Sequence, residues 1–174
     1  MPPPEKRRRS SSAPDALPVV GWREWVKFPE LGIPFTKAKI DTGARTSSLH
    51  AFEPERFRRK GRDWIRFVVH PLQRSVKDSI VCEAEVVDER RVRSSSGHTE
   101  IRPVIRTKIT VARKIFQVEL TLAARDDMGF RMLLGRAALR RRFTIDPGRS
   151  FIGGVPPEVR KRRKKKPKRK RKPQ

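Results

Sequence analysis

The chain has 174 residues, room for one modest domain plus tails, and it carries 44 Lys or Arg against 19 Asp or Glu, a net charge of +25. Residues 160–174, RKRRKKKPKRKRKPQ, hold 12 of the cations and no acid; subtracting that +12 and the +2 of residues 1–17 still leaves +11 on the body. One cysteine, Cys82, excludes an intramolecular disulfide and suits a reducing compartment, and no apolar run reaches the roughly 18 residues that would span a bilayer.

Pro, Ser and Arg dominate residues 1–17, which are expected to be a disordered basic segment. No apolar core follows the basic start as a secretory signal would require, so a soluble cytoplasmic protein is expected. Order should begin near Val19. VVGWREWVKFPELGIPFTKAKID then predicts two short strands joined by a Pro/Gly turn region at Pro29–Pro34. In the second strand Thr36, Ala38 and Ile40 alternate with Phe35, Lys37 and Lys39, a period of two. DWIRFVVHPL predicts another strand, ended by Pro71. In SIVCEAEVVDERRVRS, Ile80, Cys82, Ala84 and Val86 oppose Val81, Glu83, Glu85 and Val87. SSSGHTE, Ser94 to Glu100, breaks that alternation and predicts a turn.

VIRTKITVARKIFQVELTL has the pattern of a hairpin with one wet face. Ile105, Thr107, Ile109 and Val111 form one apolar row, and Phe116, Val118, Leu120 and Leu122 the other, with a turn around Arg113 and Lys114. MLLGRAALRRRF is an apolar run closed by Gly135, then a short helical segment in which Leu139 and Phe143 fall four apart. TIDPGRSFIGG offers a last strand and a Gly/Pro exit. Many short strands, one short helix and no long repeat predict a mainly β, small closed barrel. The expected divisions are a tail at 1–17, a folded domain at 18–157 and a disordered Lys/Arg-rich tail at 158–174. That C-terminal tail has no aromatics for base stacking; its cations would be solvated or would contact phosphate-rich surfaces such as ribosomal RNA.

The strand FTKAKID runs directly into Asp41-Thr42-Gly43-Ala44. Asp and Gly are common turn residues, but this order also serves acid catalysis. An aspartic peptidase needs two carboxylates a hydrogen bond apart that share one proton, one acting as base toward water while the other polarises the scissile carbonyl. Each must stand on a rigid strand end. A hydroxyl after it braces the turn, and a glycine lets backbone amides approach the carboxylate.

KIDTGARTSSLHA combined with MLLGRAAL resembles the two signatures of retropepsin-like aspartic peptidases. Together with VCEAEVVDERRVRSSSGHTEIRPVI and RDDMGFRMLLGR, it is similar to the bacterial group labelled ATP-dependent zinc proteases, over about Gly21 to Gly153. The resemblance implies an acid-protease barrel in which Leu133, Leu134, Gly135 and Arg136 cross beside the active-site loop. It implies catalytic roles for Asp41, Thr42 and Gly43, and substrate contacts from Ala44, Arg45, Gly97 and Arg136, with RSSSGHTE as a candidate lid. It also associates the group with a ligase that adds glutamates to a ribosomal protein, which with a basic body suggests an acidic peptide or protein substrate.

The chain holds a single Asp-Thr-Gly, and Asp146-Pro147-Gly148 cannot replace it, since proline offers neither hydroxyl nor backbone donor. A two-carboxylate mechanism then requires a homodimer with its site on the two-fold axis. No cofactor is expected from the residues. His-Glu-x-x-His and the phosphate-cradling glycine motifs are absent, and the histidines, His50, His70 and His98, are scattered; His50 and His98 would be the first zinc candidates. Ser94–Ser96 near His98 lack a nucleophile elbow, and Asp126-Asp127 fits a turn better than a cation site. The alternatives are a catalytically silent barrel that binds acidic peptides or ribosomal RNA, and a zinc-dependent peptidase.

Overall fold

The computed structural model describes residues 16–72, 78–93, 97, 99–123 and 129–165. The strands are β1 (Val19–Gly21), β2 (Arg23–Phe28), β3 (Ile33–Asp41), β4 (Ser47–His50), β5 (Phe52–Arg59), β6 (Arg62–Val69), β7 (Ile80–Arg93), β8 (Thr99–Val111), β9 (Lys114–Ala123), β10 (Met132–Gly135) and β11 (Thr144–Asp146). The helices are α1 (Arg136–Leu139) and α2 (Pro157–Lys165).

Six strands close into a barrel in the order β2-β3-β10-β4-β9-β8, with β2 pairing back onto β8 through Val26–Val111 and Lys27–Thr110. From β8 the sheet continues outward through β7, β6 and β5, while β1 and β11 form a separate parallel pair. Closure removes the two edges that a six-stranded sheet would otherwise leave unpaired. The apolar rows read from the sequence face inward: Ile105, Ile109, Val111 and Leu120 are fully covered, as are Phe67, Met132 and Leu134. Each such side chain contributes about 1.5–3 kcal/mol relative to exposure. Cys82 belongs to this core and donates to the Leu31 carbonyl; burial pushes its thiol up to about 12, out of the reactive range.

The β8–β9 turn is Ala112–Arg113, one residue earlier than expected, because Val111 pairs with Lys114 and closes a two-residue loop. Both turn residues have positive φ, 45° and 69°, the primed geometry that matches strand twist. Two strands escaped the periodicity. Ser47–His50 is buried at all four positions and so shows no alternation. Phe52–Arg59 is charged, holds Pro54 and a positive φ at Glu53, and is paired only along β6.

The boundary set at 157 also shifts. α2 begins there and seats Val159, 7% exposed, in an apolar cluster with Trp25 and Phe35 outside the barrel, with Phe151 stacked on Trp25. The segment before it is held by Glu24, which is fully buried. Its carboxylate accepts the amides of Gly21 (2.7 Å), Ile152 (2.9 Å) and Gly153 (3.1 Å). A buried charge is tolerable when this well supplied with donors.

Candidate active site

The connection from β3 to β4 has unusual demands on it. β10 lies between those two strands, parallel to β3 and antiparallel to β4. The loop leaving Asp41 must therefore arch over the end of β10 to reach Ser47. Gly135 sits at that end, in register with Asp41. A Cβ there would lie 2.5 Å from the carbonyl carbon and oxygen of Thr46, so only glycine permits the crossing. Its φ is ordinary, −82°; what it supplies is space.

The next residues tie the loop down. The amides of Arg136 and Ala137 donate to the carbonyls of Ala44 (2.8 Å) and Arg45 (3.0 Å). The Arg136 guanidinium donates to the Thr42 carbonyl at 2.7 Å and reaches that of Gly43 at 3.4 Å. On the barrel side, the Gly135 amide donates to Ser47 Oγ (3.0 Å), and Thr121 Oγ donates to the Ser47 carbonyl (3.2 Å). Ser47 and Thr121 are buried, and the alternation did not mark either: β4 is covered at every position, and Thr121, between inward-facing Leu120 and Leu122, falls on the row that reads as wet.

Within this frame Asp41 is half-buried, and its Oδ1 accepts the amides of Gly43 and Ala44, both at 3.1 Å. Among the described residues only Oδ1 is engaged, which leaves Oδ2 available to a water, a substrate or a second carboxylate. Thr42, Gly43 and Arg45 are exposed and Ala44 half-buried, so the loop presents its surface outward. The loop geometry thus brings together Asp41, Thr42, Gly43, Ala44 and Arg136. A cavity of about 210 Å³ adjoins the loop's far end, between Thr46, Ser47, Ala138, Val118, Glu119 and Arg142. Arg90 and Arg106 donate to Glu119 and hold its carboxyl below the usual range.

The other predicted residues lie apart from this frame. Gly97, exposed with φ +87°, sits at the tip of the β7–β8 hairpin. Ser94–Ser96, His98 and Asp126-Asp127 fall outside the described residues. His50 is buried at the end of β4, its ring 4.0 Å from Phe52, which in turn lies 4.2 Å from His70. His70 accepts or donates to Ser79 at 2.9 Å, and burial, then the Arg131 charge, lowers its pKa. Among the described residues no three His, Cys, Asp or Glu side chains gather as metal ligands. His50 lies tilted against Phe52, and Cys82 is a buried thiol in the core.

The barrel has known counterparts. A crystal structure of the Legionella pneumophila protein Lpg0085, of unknown function (DUF785), superimposes with a TM-score of 0.66 at 26% identity, over 78% of this chain and 98% of that one. A Desulfotalea psychrophila protein named probable alpha-L-glutamate ligase is 48% identical over 132 residues, which cover 76% of this chain and 28% of the relative. A protein of the same name from Shewanella pealeana is 47% identical over 136 residues, covering 78% and 30% respectively. The chain therefore spans less than a third of the length of these curated relatives. Residues 19–156, which include the loop of Asp41 and its Gly135–Arg136 support, match the family described as RimB-like, retropepsin-like aspartic endopeptidase RimB, and the chain belongs to that family.

Proposed function

We propose that the chain is an aspartic endopeptidase whose catalytic pair is Asp41 from each of two copies, meeting on a two-fold axis. The observation that carries this reading is the Asp41 carboxylate itself: fixed at a strand end through Oδ1 by two amides, with Oδ2 uncommitted among the described residues, in a chain with one Asp-Thr-Gly. A lone fixed carboxylate is half of the required machinery. With a second copy opposite, like charges that close cannot both ionise, and the pair holds one proton between them. The ionised member takes a proton from water as the water attacks the scissile carbonyl. The protonated member donates to the carbonyl oxygen, and the tetrahedral adduct then collapses with a proton delivered to the leaving amine.

The body's +11 charge favours anionic substrates by concentrating them near the cleft. A peptide rich in glutamate, such as a ligase of the kind named among the relatives would leave, is the substrate class we assign. Thr42 and Gly43 form the loop's outer surface, Ala44 and Arg45 on the same loop are substrate contacts, and the basic C-terminal tail contacts RNA-rich surfaces.

Cleavage of an acidic peptide library across pH 3 to 8, by wild type and Asp41→Asn in parallel, tests the proposal. Activity confined to the wild type and unchanged by chelator is the expected result. Equal activity in both proteins would move the chemistry elsewhere. Full activity lost to chelator would point to a metallopeptidase, and peptide binding without cleavage by either protein would point to a silent binding module.

A further inference from the structure

Ion pairing divides this surface sharply. On the outward sheet, Arg56, Arg58, Arg59, Arg62, Arg66, Arg90, Arg106 and Lys108 each face a carboxylate. At the α1 corner the pattern is reversed. Residues 129–145 contain five arginines and no acid. Arg140 and Arg141 are exposed in the turn that ends α1, and Arg113 and Lys114 are exposed at the β8–β9 tip. The two turns touch: Lys114 Nζ donates to the Arg142 carbonyl at 3.5 Å, and the Arg142 guanidinium lies 4.9 Å from the Phe116 ring centre. None of these five cations has an ion pair among the described residues.

We propose that this corner, Arg113, Lys114, Arg140, Arg141 and Arg142, is a docking surface for the phosphodiester backbone of a nucleic acid. Clustered cations without counter-charges condense anions and gain free energy by releasing counterions from a polyanion, one per phosphate neutralised. The shape selects the partner. An extended peptide is captured by a free strand edge or a groove; of the five cations only Arg142 lines the cavity beside Val118, and the other four are exposed on the two turns. A phosphate backbone needs only cations spaced over a surface. Phe116 and Phe143 pack 5.9 Å apart, with Arg142 over Phe116 and Lys114 6.0 Å from the centre of Phe143. They give no open stacking platform for unpaired bases, so a duplex read without sequence preference fits better than a single strand. Because α1 also holds the Asp41 loop through Arg136, a bound nucleic acid would lie beside that loop. The surface does not depend on the peptidase reading, and Asp41→Asn should bind equally well.

Fluorescence anisotropy of the full chain with a labelled RNA duplex of about 20 base pairs, repeated over a range of salt concentrations, tests this. Two variants each lose four charges. One carries Arg113→Gln, Lys114→Gln, Arg140→Gln and Arg141→Gln; the other carries Arg58→Gln, Lys60→Gln, Arg91→Gln and Arg93→Gln, remote from the corner. The corner variant should flatten the slope of log affinity against log salt by about 4, near one per lost contact, and weaken binding at least about tenfold near 0.1 M salt. The remote variant should keep the wild-type slope. A DNA duplex of the same sequence tells which nucleic acid the surface takes, and binding of either through the corner supports the proposal. Equal loss in both variants would reduce the effect to net charge, an unchanged corner variant would leave binding to the tail alone, and displacement by an equal charge of polyglutamate would make the surface a protein-binding one; each overturns it.

Discussion

Arg136 shows how a single residue can act on the site without reaching the reacting atoms. Its guanidinium spans the outside of the loop and fixes the carbonyls of Thr42 and Gly43, whose neighbouring amides in turn fix Asp41 Oδ1. Arg136→Gln should lower kcat by about ten- to a hundredfold, since small misplacements of a catalytic group cost about that much. KM should move less, and because the side chain is exposed the melting temperature should stay within a few degrees; steady-state kinetics and calorimetry on one preparation check both. A large rise in KM with kcat intact would instead make Arg136 a substrate contact. At this scale the motif residues were legible because Asp-Thr-Gly and Leu-Leu-Gly-Arg are rare orderings of common types. Glu24 was not. An acid between Arg23 and Trp25 reads as part of a wet face, and only its phase with Val20, Val26 and Phe28, all inward, betrays that it is buried.

Between elements, the decisive relation is that β10 inserts between the two strands that the Asp41 loop connects. This crossing puts a steric demand on Gly135 that no turn type requires. Gly135→Ala would drive a methyl into the Thr46 backbone, which cannot swing aside as a side chain could. The expected cost is about 1–3 kcal/mol of stability by overpacking, with a loss of activity larger than that of any exposed loop substitution. Denaturant unfolding measures the first quantity and cleavage rate the second; an unchanged midpoint with unchanged rate would mean that the loop does not depend on this contact. The hairpin β8–β9 and strands β3, β6 and β7 were visible in advance because each has one wet and one dry face. β4, dry at every position, and β5, held by pairing rather than by apolar content, carry no such contrast. The insertion of β10 is a non-local pairing, and no local pattern announces it.

For the whole molecule, charge and symmetry are the organising facts. Acids are concentrated on the outer sheet, where they neutralise arginines, and among the described residues the cations of the α1 corner have no ion pair. The composition displayed the excess, but its segregation became visible only once the strands were paired. Glu119 sits at a junction of these regions, bonded to Arg90 and Arg106 beside the cavity next to the loop. The barrel is complete within one chain, and the proposed chemistry is not, since one Asp-Thr-Gly supplies one carboxylate. That difference is the central claim, and subunit mixing tests it most directly. Wild type and Asp41→Asn would be unfolded together, refolded at equal concentrations, and assayed at constant total protein. If each active unit needs Asp41 from both copies, random pairing leaves about one quarter of the wild-type activity. Retention of about one half, in proportion to the wild-type chains present, would show that each chain works alone and would contradict the shared pair.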